Sequence, residues 1–404
     1  MTSKTKIAII GTVGIPANYG GFETLVQHLV EHLDTVYDMT VYCSGKRYKK
    51  QHRPAFFKNA RLRYIPLNAN GIQSILYDSI TIIHALFYAD VLLVLGVAGA
   101  WLFPFIRFFT NKKIIVSIDG IEWKREKWGF IAKCYLFWSE NLAVKYSHID
   151  ISDNESIQDY TAMRYGSLSR IIEYGADHTL QIIPSLKDKK KYPFLKFPYA
   201  FSVCRIEPEN NIHIMLEAFA ELSKYTFVFV GNWTNSTYGQ KLKKLYGNIS
   251  NIILLDPIYD QQGLDVLRSN ALIYIHGHSA GGTNPSLVEA MYLGLPIIAY
   301  SVSYNRITTE DKALFFVNSE ELKNHIKKTG MRQLKELGKE LHSIAIRRYT
   351  WTYISGKYDD LIVEAISTNE KSTVKSQIEV LKNTELLKLK LGHLIHQHSF
   401  FELR

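Results

Sequence analysis

The chain has 404 residues, 47% of them hydrophobic and 21% charged, which excludes a disordered protein and leaves room for two hydrophobic cores. Its net charge is +10, with basic clusters at 46–53 and 187–191. These clusters read as solvated loops or as patches drawn to anionic lipid headgroups, and no motif for binding nucleic acid accompanies them. Cys43, Cys134 and Cys204 sit far apart in apolar or aromatic stretches, as expected of buried free thiols in a reducing cytoplasm.

The amino terminus runs into an apolar strand with no secretory core before it. Short β-branched runs follow at 6–11, 39–44, 61–67, 91–96, 113–119, 148–152 and 171–174, and helical periodicity appears at 21–33 and 128–146. Such alternation predicts a parallel sheet with covering helices. The most apolar window, 91–106, is too short to span a bilayer and contains Gly96, Gly99 and Pro104. It reads as a buried strand plus loop, with 101–109 able to dip into a membrane surface.

After a linker at 192–198 the pattern restarts. Strands are expected at 201–205, 227–231, 252–255, 271–277 and 297–300, with a helix at 212–222. The expected fold class is α/β, with two doubly wound Rossmann-like domains at 1–190 and 197–350 whose strand ends face each other across a cleft. Residues 351–404 are expected to form a carboxyl-terminal helix and peripheral tail, with the lysine-rich 367–389 stretch a peripheral helix or a loose tail.

The most informative motif is His278-Ser-Ala-Gly-Gly-Thr-Asn-Pro-Ser-Leu-Val-Glu-Ala-Met291, between a strand and a helix. Gly281, Gly282, Thr283 and Asn284 would offer backbone N–H groups and the positive end of a helix to a phosphate. Glu289, inside that helix, would reach a sugar hydroxyl beside it, and His278 would face the cleft. His276, one strand residue away, reads as a satisfied core histidine. Arg205 ends the first strand of the second domain, where a guanidinium can pair with a diphosphate.

In the first domain the loop 11–23 lacks the Gly-x-Gly-x-x-Gly spacing, and no acidic ribose ligand ends the next strand, which disfavours a nicotinamide site. Gly20 and Gly21 would let a substrate approach the backbone. Asp119 and Glu122, at a strand end, are candidates for general base or for holding an acceptor hydroxyl. Asp150 and Asp153 suggest a strand end and helix cap rather than a metal site, and no Asp-x-Asp pair occurs.

Together these residues resemble glycosyltransferase family 4, retaining enzymes of the GT-B fold, and within it a subgroup containing bacterial polysaccharide rhamnosyltransferases. The resemblance rests on stretches 14–24, 119–125, 205–213, 281–291 and 304–310 and covers roughly residues 5–365. It implies a metal-independent hexosyltransferase with no cofactor, taking a nucleotide-sugar donor and a lipid-linked saccharide acceptor for capsule or O-antigen synthesis. Such an enzyme would be cytoplasmic, in peripheral contact with the inner membrane face. Arg205 would hold the diphosphate, Glu289 the ribose, and the Gly20-Gly21 loop would lie over the donor. Gly281 stands where the wider family has a glutamate that touches the donor sugar, and Asn210-Asn211 where it often has a lysine. Both departures suit a deoxygenated sugar such as L-rhamnose from dTDP-rhamnose. UDP-glucose, UDP-galactose and GDP-mannose are the alternative donors, and a sugar-nucleotide epimerase or a non-catalytic sugar-binding protein are the alternative functions.

Overall fold

Runs of Val, Ile and Leu without a polar face form strands buried on both sides, and parallel pairing then requires a crossover between successive strands. The computed structural model describes residues 4–17, 20–118, 120–125, 128–371 and 374–375. It divides into two units, Met1–Glu173 with Trp351–Arg404, and Tyr174–Thr350.

The first unit holds β1 (Lys6–Ile10), α1 (Gly21–Leu33), β2 (Asp38–Ser44), β3 (Phe56–Phe57), β4 (Ala60–Ile65), α2 (Gln73–Leu86) and β5 (Val91–Leu95). It continues with α3 (Phe103–Phe109), β6 (Lys113–Ser117), α4 (Phe130–Tyr146), β7 (Ile149–Ser152), α5 (Glu155–Tyr165), β8 (Ser167–Leu168) and β9 (Arg170–Ile171). Its main sheet has the order β3-β4-β2-β1-β5-β6-β7-β9. All pairs in it are parallel except the edge strand β3.

The second unit holds α6 (Leu186–Lys191), β10 (Tyr199–Val203), α7 (Ile212–Ala220), β11 (Thr226–Val230), α8 (Thr237–Tyr246), β12 (Ile252–Leu255) and α9 (Gln261–Arg268). Then come β13 (Ile273–His276), α10 (Pro285–Tyr292), β14 (Ile297–Tyr300), α11 (Ser303–Thr308), β15 (Leu314–Phe316), α12 (Ser319–Lys328) and α13 (Met331–Arg348). The sheet is wholly parallel, in the order β12-β11-β10-β13-β14-β15. Its core packs Ile212, Met215, Leu216 and Phe219 of α7 against Phe227, Phe229 and Ile275, with Phe219 and Phe227 stacked at 4.2 Å. Each such fully buried side chain contributes about 1.5–3 kcal/mol.

The chain then returns to the first unit as α14 (Trp351–Ser367) and a two-residue strand, β16 (Val374–Lys375), antiparallel to β8. On α14, Trp351, Ile354, Tyr358, Leu361, Ile362 and Ala365 recur at helical spacing and are buried. Trp351 stacks on His28 of α1 at 4.4 Å, and the Tyr37 hydroxyl donates to Asp359 Oδ1 at 2.5 Å.

Both sheets reverse their winding once, between β1 and β5 and between β10 and β13. Such reversals are where open α/β sheets bind ligands, outside the carboxyl ends of the strands.

Several sequence expectations change. The 91–106 window is β5 followed by a 3₁₀ turn at Ala100–Leu102 and α3, not strand plus loop, because Phe103, Ile106 and Arg107 recur at helical spacing. The cap of α5 is Asn154, whose side chain accepts from Ser156 N, while Asp150 pairs with Lys371 at 2.7 Å. All three cysteines are free, but only Cys43 is fully buried. Most of the 367–389 tail lies outside the described residues.

Candidate functional site

β10 and β13 pair in register Ala200↔Ile273 and Phe201↔Tyr274, so the loops 204–211 and 277–284 leave the sheet side by side. Backbone polar groups stitch them together. Asn211 takes a left-handed conformation (φ 49°), and its Nδ2 donates to Gly277 O at 2.9 Å. Ser279 donates to Glu209 O through its N–H at 2.9 Å and its hydroxyl at 2.8 Å. Buried Asn210 donates to Arg205 O at 2.7 Å. Gly277 is required here, since a Cβ would stand 2.2 Å from Asn210 O. Asn305 of α11 clamps the far side by donating to His278 O at 2.9 Å and Tyr300 O at 2.8 Å.

Arg205 projects from this fastened loop half exposed, 4.0 Å from Glu207. The turn ahead of α10 is open by contrast. Gly281 has φ +113°, and nothing lies within 4 Å of where its Cβ would be. Gly282 is half-buried and Thr283 buried. Asn284 caps α10 by accepting from Ser286 N at 3.1 Å, with Pro285 in the first turn. A cap and an open glycine turn leave backbone N–H groups and a positive helix end available to an anion.

His278 is half-buried and stacks on His276, ring centroids 4.4 Å apart. His276 is not the satisfied core histidine expected: it is buried, yet neither ring nitrogen has a hydrogen-bond partner among the described residues. Burial lowers its pKa to about 3, so the ring is neutral.

Glu289 sits one turn into α10. Its Oε1 lies 3.1 Å from His178 Nε2, and its Oε2 accepts from Arg268 Nη1. Arg268, at the end of α9, is wholly buried and also donates through Nη2 to Asp265 Oδ1 at 2.6 Å. Asp265 in turn accepts from Leu180 N at 3.0 Å through Oδ2. Burial pushes the Glu289 carboxyl up, but Arg268 and then His178 pull it further down, to about 2. Burial also opposes the charge on Arg268, which Glu289 and Asp265 more than restore. The result is an ionised carboxylate of fixed orientation, 13% exposed, able to accept from further hydroxyls. The sequence signalled Arg268 only weakly, as Asp265-x-x-Arg268 at helical spacing. His178 is 111 positions from Glu289 and gave no signal.

The remaining expected site residues lie in the first unit. Gly20 (φ +128°) precedes α1, which Gly21 opens. Glu23 is buried and accepts from Thr12 Oγ1 at 3.1 Å and Val13 N at 2.7 Å, folding the glycine loop onto α1. Glu122 opens a 3₁₀ turn, accepts from Trp128 Nε1 at 2.9 Å and pairs with Arg125 at 2.8 Å. Beside it, burial lowers the Lys124 pKa to about 8, a feature the sequence reading missed. Asp119 lies outside the described residues, as do Asn18 and Tyr19. Among the described residues no group of three His, Cys, Asp or Glu side chains could hold a metal ion.

Two parallel sheets, each with one reversal, form two Rossmann-like domains that match solved structures of the GT-B fold. Sucrose-phosphate synthase from Thermosynechococcus elongatus matches with a TM-score of 0.73 at 16% identity, over 89% of this chain and 99% of that one. A glycosyltransferase from Rickettsia africae matches with a TM-score of 0.70 at 14% identity, over 90% and 99%. Anabaena HepE in complex with UDP-glucose matches with a TM-score of 0.69 at 15% identity, over 89% and 99%. At the level of sequence, residues 185–339, within the second unit, match the family "Glycosyl transferases group 1". Residues 4–177 match "Domain of unknown function (DUF1972)". No curated protein matches the sequence.

Proposed function

We propose that the chain is a retaining glycosyltransferase of the family 4 type. It moves L-rhamnose from dTDP-rhamnose to a lipid-linked saccharide in the synthesis of cell-surface polysaccharide, at the inner face of the plasma membrane. The observation that carries the transferase reading is Glu289, ionised and held by Arg268 in a stretch that matches the group 1 glycosyl transferase family, with the glycine turn 281–284 opening its helix. A carboxylate so fixed accepts from the ribose hydroxyls of the donor. The N–H groups of 282–284 and the Arg205 guanidinium meet the diphosphate, with His278 alongside.

As the sugar–phosphate bond breaks, negative charge grows on the departing diphosphate. Arg205 and the start of α10 stabilise it by charge-assisted hydrogen bonds, so this chemistry needs no metal. The acceptor hydroxyl attacks from the same face and passes its proton to the departing phosphate oxygen, so configuration is retained as the nucleoside diphosphate leaves. Asp119 and Glu122, with the Gly20-Gly21 loop, serve the acceptor side and the cover over the donor. Rhamnose is favoured because Gly281 leaves open space where a longer side chain would bind a fully hydroxylated sugar. A glucosyl donor is the second reading, because the fold is shared with a protein bound to UDP-glucose.

The test incubates the purified chain and a lipid-diphosphate-linked sugar with dTDP-rhamnose, UDP-glucose, UDP-galactose or GDP-mannose, in EDTA, and reads product mass. Product with dTDP-rhamnose alone is expected. Product with another donor overturns the rhamnose assignment, and free nucleotide without any glycosylated product overturns the transferase. Arg205→Ala should lower turnover by about 10²–10³, whereas Glu289→Ala should chiefly weaken nucleotide binding.

A further inference from the structure

α2 presents an unusual outer face. Ile72, Leu76, Ile80, Ile83 and Phe87 recur every three or four residues along it, and all are exposed, Ile72 by 80% and Phe87 by 85%. The inner face buries Tyr77, Ile82 and Ala85, and the helix's one acidic residue, Asp78, is buried with them. The apolar surface does not stop at α2. Trp101 Nε1 donates to Ser79 Oγ at 2.9 Å, and its ring meets Phe105 of α3 edge-on at 6.5 Å, with Phe105 itself exposed. A continuous apolar face of this kind marks an interaction surface rather than a solvated one.

Charge identifies the partner. Lys46 Nζ reaches Gln73 Oε1 at 3.2 Å, which fixes the basic loop at the amino end of the stripe. Lys46, Arg47, Lys49 and Lys50 are all exposed there, and no Asp or Glu occurs between residues 39 and 77. An apolar helix face bordered by cations, in a stretch of chain without acidic residues, is complementary to an anionic bilayer surface. No helix among the described residues is long and apolar enough to cross a membrane.

We propose that α2 lies in the plane of an anionic bilayer, its Ile and Phe side chains in the boundary between headgroups and acyl chains and the 46–50 loop on the headgroups. The surface deepens the reading of a lipid-linked acceptor by saying which face meets the membrane, and its test needs neither donor nor acceptor.

The experiment is co-sedimentation of the full chain with phosphatidylcholine vesicles, with and without phosphatidylglycerol. The protein should pellet with the anionic vesicles. The triple variant Ile80→Ser, Ile83→Ser, Phe87→Ser, whose changes are all at exposed positions, should bind about tenfold more weakly or less. Lys46→Gln and Lys50→Gln should each cost about fivefold at low ionic strength and less in high salt. A wild-type chain that stays in the supernatant overturns the proposal, and so does a folded triple variant that binds like wild type. A concentration-dependent dimer abolished by the triple variant, without vesicle binding, also overturns it and makes a second copy the partner. Vesicle binding without sugar transfer leaves this surface standing and removes the proposed function. Transfer to the lipid-linked acceptor without vesicle binding does the reverse.

Discussion

The two units share one plan, a parallel sheet with a single reversal, yet they use the acid on the helix after a glycine turn differently. In the first, Glu23 turns back onto its own loop, accepting from Thr12 and Val13, so the carboxylate fastens the glycine turn to α1. In the second, Glu289 is held from behind by Arg268 and His178, and the turn before it stays open at Gly281. There the fastening is done by loop polar groups of Asn211, Ser279 and Asn305. A glutamate behind a glycine-rich turn therefore does not by itself mean a carboxylate that faces a ligand. What distinguishes the two is whether the carboxylate is occupied by its own loop or held by a neighbouring helix.

That contrast breaks most readily at Arg268. Arg268→Leu should remove about 3–5 kcal/mol from the second unit, because it leaves Glu289 and Asp265 buried without their cation. A denaturant melt with probes in each unit should show the loss in the second alone, and equal loss in both would undo the comparison. Next comes Gly277→Ala, expected to cost about 3 kcal/mol as its Cβ meets Asn210 O. Gly281→Ala should cost only about 1 kcal/mol, from its positive φ, and should act on donor binding instead. If both glycines behaved alike in melting and in donor KM, the turn at Gly281 would be structural like the loop at Gly277. Glu23→Gln, which keeps the shape and weakens the bonds to Thr12 and Val13, should cost about 1–2 kcal/mol in the first unit.

The smallest effect is a pH dependence that the units share through buried neutral histidines. His276 titrates at about 3, through burial, and His148 at about 3, through burial and then Arg107, Lys113 and Lys371. Both lie below the unfolded value of about 6.5, so below that pH the unfolded chain binds more protons and stability falls as pH drops toward 3. For His276 the loss should be about 1 kcal/mol between pH 7.5 and 5.5. Glu289, held at about 2, adds a second loss only in the second unit, as pH falls from about 4.3 toward 2. His276→Leu should flatten the pH 5.5–7.5 slope in the second unit and leave the first unchanged, as equilibrium melts at a series of pH values would show.

Strands were legible because runs such as Val91–Leu95 and Ile297–Tyr300 have no polar face, and their restart after the linker announced a second sheet. α1 was legible to the residue, since its buried positions recur at helical spacing. α2 was missed for a reason that its surface explains. With Ile and Leu outside as well as inside, its sequence lacks the polar stripe by which periodicity reveals a helix. In the candidate site, Arg205, Gly281 and Glu289 could be read from local motifs. The ion pair that sets the charge of Glu289 could not, because Arg268 and His178 reach it only through the packing of other elements.

The return of the chain as α14 orders events during synthesis. On the ribosome, residues 1–173 emerge well before Trp351 and Tyr358 exist to cover α1 and the sheet beside it. The second unit is contiguous and can complete its fold first. The amino-terminal unit, although translated earlier, is the last to be sealed. A released chain truncated after residue 350 should accordingly yield a protease-resistant carboxyl-terminal fragment and a sensitive amino-terminal one.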